Sequence, residues 1–234
     1  MQPDNPGYPV RIRGDLDPAL SRWLWLVKWI LAIPHVIVLF FLHIAYAVVT
    51  VIAFFAILFT GKYPRALFDF SVGVLRWTWR VSFYAYSALG TDKYPPFSLA
   101  ASADYPADLE VDYPERLHRG LVLVKWWLLA IPHYLIVGVF FSTGMAWATG
   151  RMNEEAGDGE WHYWMSAYSF PLIAALLVVA LIALLFTGRY LPGLYDFVVG
   201  VNRWRFRVRA YASLMTDAYP PFRLDQGARE PENT

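Results

Sequence analysis

Long apolar runs alternate with short polar punctuation along this chain, and the runs fall into two matched sets. Residues 23–60 form one near-continuous apolar stretch. At about 1.5 Å rise per residue it is almost twice the length a bilayer core of about 30 Å requires. Further on, 121–141 and 167–187 are each about one span long, separated by a polar segment containing GRMNEEAGDGEW. Each set is followed by a mixed segment. Asp69, Gly73, Arg76 and Arg80 recur at spacings of four, three and four, which places them on one helical face; Asp196, Gly200, Arg203 and Arg207 repeat the pattern. This predicts amphipathic helices over about 65–90 and about 192–214, lying in a membrane interface. A strand competes locally, because RWRFRVRA at 203–210 alternates strictly. The YP stretches at 8–15 and 105–114 are short, alternating and candidates to pair with each other.

Self-comparison shows a tandem duplication. YPVRIRGDLDPALSRWLWLVKW at 8–29 aligns without gaps to YPADLEVDYPERLHRGLVLVKW at 105–126, and LAIPH follows in each copy. LFTGKYPRALFDFSVGVLRWTWRV (58–81) matches LFTGRYLPGLYDFVVGVNRWRFRV (185–208), and both copies close on TD-x-YPPF-x-L. The units are 8–99 and 105–224, with AASAD as linker and 225–234 as a disordered tail. The second unit differs mainly by an insertion, 142–166, between its two apolar stretches. Two readings of the first unit follow. Either it holds two helices, about 23–42 and 44–60, joined near His43, or it holds one long helix, which would reverse the orientation of the second copy. The first gives an all-α membrane protein of four spans: a duplicated transmembrane hairpin, each copy preceded by a short extended segment and followed by an interfacial helix. Gly61 and Gly188 stand where left-handed helix caps are expected.

Composition and charge support a membrane class. The chain is 57% hydrophobic and 17% charged, with mean hydropathy +0.35, against about 45–50% and 25% for soluble domains. Of the twenty Lys and Arg, all but Arg151 fall on one side of the four-span arrangement. The positive-inside rule then predicts a multi-pass protein of the inner membrane with both termini cytoplasmic and 142–166 outside. No short apolar core with a cleavage site opens the sequence, so the first apolar segment is expected to remain as an anchor. Cysteine is absent, which excludes disulfides and thiolate metal sites.

Two kinds of candidate site emerge. His35 and His133 follow prolines inside apolar runs. Each ring either donates to the carbonyl that the proline frees, or meets its counterpart in a polar cavity on the axis between the units. Asp69, Arg76, Arg80, Asp196, Arg203, Arg205, Arg207 and Arg209 are candidates for ion pairs, Asp69 with Arg76 and Asp196 with Arg203, or for binding anionic lipid headgroups. The aromatic insertion 142–166 is an interfacial cap or a docking surface for an envelope partner. There is no nucleophile elbow, phosphate loop or dinucleotide fingerprint, so no enzyme, cofactor, metal or nucleic-acid role is expected.

The phrases LVKWILAIPH and LVKWWLLAIPH, LFTGKYP and LFTGRY, FDFSVGVLRWTWRV and YDFVVGVNRWRFRV, and TDKYPPF with TDAYPPF resemble the bacterial domain-of-unknown-function 4389 family. The resemblance covers most of both units. It implies a bacterial integral membrane protein built from hairpin-plus-helix units, and it brings no reaction, ligand or catalytic residue. The function expected is a non-enzymatic scaffold or accessory subunit of an envelope complex in contact with anionic lipid. The alternative is a small transporter or channel with a histidine-lined pathway.

Overall fold

The computed structural model describes residues 8–141, 172–225 and 227–228. Both the predicted insertion 142–166 and most of the tail 225–234 lie outside them. The chain is mostly helical, with strand β1 (Val10–Gly14), helices α1 (Trp25–Thr60) and α2 (Arg65–Ala85), and strand β2 (Ala107–Val111). A short helix α3 (Leu121–Val124) runs through a π-helical turn (Lys125–Leu129) into α4 (Ile131–Phe141), and α5 (Leu172–Thr187) and α6 (Pro192–Ala212) follow.

The two YP stretches do pair. β1 and β2 are antiparallel, and Ile12 lies opposite Leu109, its own equivalent in the gapless alignment. A strand paired with its copy about equivalent residues is related to it by a twofold axis through that pair. The same axis brings Trp79 of α2 against its equivalent, Phe206 of α6, at 5.7 Å between rings. Both pairs belong to one continuous core.

The first unit departs from the expected hairpin. α1 is a single helix of 36 residues that runs through His43 without a break. No glycine or proline lies between Phe40 and Tyr46, so nothing local ends the backbone ladder there. The discontinuity belongs to the second unit, where the inserted segment separates α4 from α5. Both long courses end as predicted: Gly61 and Gly188 adopt φ of 72° and 69° and donate back to the carbonyls of Ile57 and Leu184.

α2 and α6 have the predicted extents, and 203–210 is helical, but both helices are packed inside the protein instead of lying open on one face. α2 is buried from Ser71 to Ala85 except at Arg76, and α6 is buried over most of its length. Beyond its first residue, the exposed Asp69 or half-buried Asp196, the polar stripe that reads as a headgroup-facing surface faces inward, onto β1, β2 and the segments that follow each helix. The other side of α2 is covered by α1. The molecule is thus layered, with the small sheet on one side, α2 and α6 in the middle, and the long apolar helices beyond them.

α1 gives this middle layer a narrow stripe, Lys28, Ala32, His35, Leu39, Tyr46, Ala53 and Ile57. Its other side is apolar and open along the whole helix, from Leu26 through Phe41 (64% exposed) to Phe59 (71%). By length and composition, Trp25–Thr60 and Leu121–Gly138 are the two helical stretches among the described residues long and apolar enough to cross a membrane.

Candidate functional site

Each unit builds the same clasp from phrases far apart in sequence. In the first, the Trp77 indole N–H donates to His35 Nδ1 at 3.1 Å. Phe97 stacks on the imidazole at 3.9 Å between ring centres, and Tyr94 lies at 4.9 Å. In the second, Trp204 donates to His133 Nδ1 at 3.1 Å, with Phe222 stacked at 4.2 Å and Tyr219 at 4.9 Å. Because each indole can only donate, Nδ1 is the accepting nitrogen and the imidazole proton sits on Nε2. Both Nε2 atoms are buried and have no partner among the described residues.

The histidines therefore do not satisfy the carbonyls loosened by Pro34 and Pro132. Tyrosine hydroxyls serve that stretch of helix instead: Tyr94 donates to the Leu31 carbonyl at 3.1 Å and Tyr219 to that of Leu129 at 3.2 Å. Tyr134 adds a bond to the Trp126 carbonyl within the widened turn ahead of Pro132. Nor do the histidines meet. They share no ring neighbour, and the axis between the units is filled by Ile12, Leu109, Trp79 and Phe206.

A lysine latch closes each clasp. Lys28 Nζ reaches the Thr91 carbonyl and the Asp92 carboxylate, both at 2.7 Å; Lys125 Nζ reaches Thr216 at 3.0 Å and Asp217 at 2.7 Å. The same carboxylates accept the backbone N–H groups of Ser21 and His118, ahead of the helices. These lysines are buried and paired, so they do not reach out to a membrane surface. TD-x-YPPF, which resembles a docking phrase, is the strap that folds back over its own histidine. Gly73 lets it pass: a Cβ there would lie 2.7 Å from that of Leu99.

The arginine stripe is likewise used internally. Arg76 and Arg80 converge on Asp108 of β2, at 2.9 and 3.2 Å. Arg76 also donates to the Leu109 and Leu99 carbonyls, and Arg80 to that of Ala100. Burial pushes the Arg80 guanidinium below the ordinary arginine range, against the pull of Asp108. In the second unit Arg203 donates to the carbonyls of Asp225, Ile12 and Gly227. Arg207 pairs with the Asp225 carboxylate at 2.6 Å.

The expected pairings are thus corrected. Asp69 is exposed and pairs with Arg65, one turn away, at 3.5 Å; Asp196 forms no ion pair among the described residues. Arg76, Arg80, Arg203 and Arg207 are committed to protein partners and do not present a lipid-binding cluster. Arg209 lies over the Tyr46 ring at 5.4 Å, and burial with the nearby Arg209 charge lowers Arg205. Sequence reading missed Asp92, Asp217, Asp108, Asp225, Trp77 and Trp204 as the partners of these groups. A signal was present for the latch, since VKW and TD recur once per unit. Among the described residues no three His, Asp or Glu side chains gather as a metal set.

A model of the domain of unknown function DUF4389 matches residues 22–98 and 162–223, together more than half of the chain. The chain belongs to the DUF4389 family. The two matches agree with two copies of the unit, and each takes in a tryptophan, a strap and the end of a long apolar helix. In this DUF4389 protein the second match begins beyond Lys125 and His133, so α3 and α4 reach the clasp from outside the matched region. No curated protein and no solved structure matches the chain.

Proposed function

We propose that this DUF4389 protein is a non-enzymatic component of the bacterial cytoplasmic membrane, acting as a scaffold or accessory subunit of an envelope complex, with both termini in the cytoplasm. The observation that carries the reading is the outer face of α1, apolar and open over 36 residues on a body whose far side is charged. Such a face is far larger than a soluble monomer tolerates. The chemistry inside supports the rest. The conspicuous titratable groups, His35, His133, Lys28, Lys125 and the buried arginines, are spent on holding helices and straps in place. Contact with anionic headgroups falls to exposed residues at the ends of the long helices, Arg22, Lys62, Arg119 and Arg189.

Purification of the full chain from its native membrane in a mild detergent tests this. The expected product carries a stoichiometric protein partner or retained anionic lipid and resists extraction by carbonate. A bare monomer released by carbonate overturns the reading.

A further inference from the structure

We infer that the long apolar helices lie flat in one leaflet and do not cross the bilayer, so that the protein is a plate seated on the lipid by its underside. This rests on the membrane reading above and assigns its geometry.

The first observation is the direction of the two long courses. The end of α1 abuts the start of the second unit, with Leu117 N–H bonded to the Gly61 carbonyl at 2.9 Å and Arg119 beside that glycine. The end of α5, at Gly188, lies against Arg22 at the start of the first unit. One course therefore runs from Arg22 to Arg119, and the other runs back. Two antiparallel courses exchanged by a twofold axis are perpendicular to that axis.

The second observation is where the axis emerges. It passes through Ile12 and Leu109 at the centre of the small sheet. The open side of that sheet carries Arg11, Glu110 and Asp112, whose side chains are 46, 58 and 53% exposed and paired with one another. If α1 crossed the bilayer, its perpendicular axis would lie in the membrane plane, and these three charges would face hydrocarbon at mid-depth. Charged groups at that depth are strongly disfavoured, and an open two-stranded sheet there would also leave edge N–H and C=O groups without water.

Turning the axis along the membrane normal removes both conflicts. The sheet faces water, α2 and α6 form the middle layer, and the apolar sides of α1, α4 and α5 rest on the acyl boundary. The length of α1 then fits as well. About 54 Å of helix overshoots a core of about 30 Å but lies in plane without mismatch. The basic residues at its two ends, Arg22 and Lys62, fall at one headgroup level.

Absence of cysteine makes a direct test possible. Single substitutions Ile30→Cys, Ile37→Cys, Ile44→Cys, Val51→Cys, Phe55→Cys and Phe59→Cys, all at exposed positions, are spin-labelled in the full chain. The chain is reconstituted with phosphatidylcholine–phosphatidylglycerol vesicles. Depth is read from relaxation by oxygen against a water-soluble nickel chelate, and vesicle flotation is recorded in parallel. The expected result is flotation with six depths agreeing within a few Å. Flotation with depth changing by about 15 Å between the middle and an end of α1, in either sense, overturns the in-plane seat and leaves the membrane reading standing. Failure to float, with all six labels open to nickel, overturns the membrane reading itself and this inference with it.

Discussion

The two units hold their central helices by the same arginines but draw the opposing carboxylate from different places. Arg76 and Arg80 take theirs from Asp108, on the strand of the other unit; Arg207 takes it from Asp225, in the segment after its own strap. The aligned position of Asp108 in the first strand is Arg11. The reason lies in the register. In this register an identical copy of β1 would set Arg11 opposite the copy's Arg13 and Arg13 opposite its Arg11, and like charges directly opposite destabilise the pair. Here one strand has become basic and the other acidic, so that Arg11 faces Glu110 and Arg13 faces Asp108. That divergence favours the pairing and leaves α6 without an acid on its strand, a gap that Asp225 fills. Internal symmetry survives in the backbone and is given up in the charges.

The comparison can be broken at its strongest point first. Asp108→Asn leaves two guanidiniums with their carbonyls alone, and removing one partner of a buried ion pair costs about 3–5 kcal/mol. Asp225→Asn should fall near the lower end of that range. Denaturant unfolding in detergent should show the two losses adding in the double variant, because the sites share no partner. A smaller effect sharpens the likeness between units. Trp77→Phe and Trp204→Phe each leave a buried imidazole nitrogen without its donor, at a cost of about 1–3 kcal/mol. The two losses should agree closely, since the clasps have the same geometry. A marked difference would show that the clasps are not equivalent. Smallest of all is Arg11→Ala, which breaks exposed pairs with Glu110 and Asp112. It should shift stability by less than about 1 kcal/mol and lose even that in high salt.

Much of this arrangement was legible in the sequence. Collinear matches gave the units, the four-three-four spacing gave α2 and α6, and LFTG gave both helix caps. The alternating YP stretches gave the sheet. Two features were not legible, for physical reasons. Helical periodicity shows that Arg76 and Arg80 share a face, but not whether that face meets headgroups or a strand some thirty residues on. The break expected near His43 came from transferring the interruption of the second unit to the first. Residues 40–46 carry no helix breaker, and the backbone continues wherever nothing stops it. The clasp was half visible. A histidine, a lysine, a TD pair and a YPPF phrase each recur once per unit, yet only three dimensions show that they close on one another.

The carboxylate that crosses between units also bears on how the chain comes to be made. While only the first hundred residues have left the ribosome, α2 has its arginines but not Asp108, and β1 has no strand to pair with. The early half must wait, partly open, for the later half. A single unit on its own has the same need and could meet it only with a second molecule. With both units in one chain the encounter is tethered, the choice of partner is fixed, and the two strands carry opposite charges. Cut at the AASAD linker, the halves should be poor proteins singly and a competent one when synthesised together.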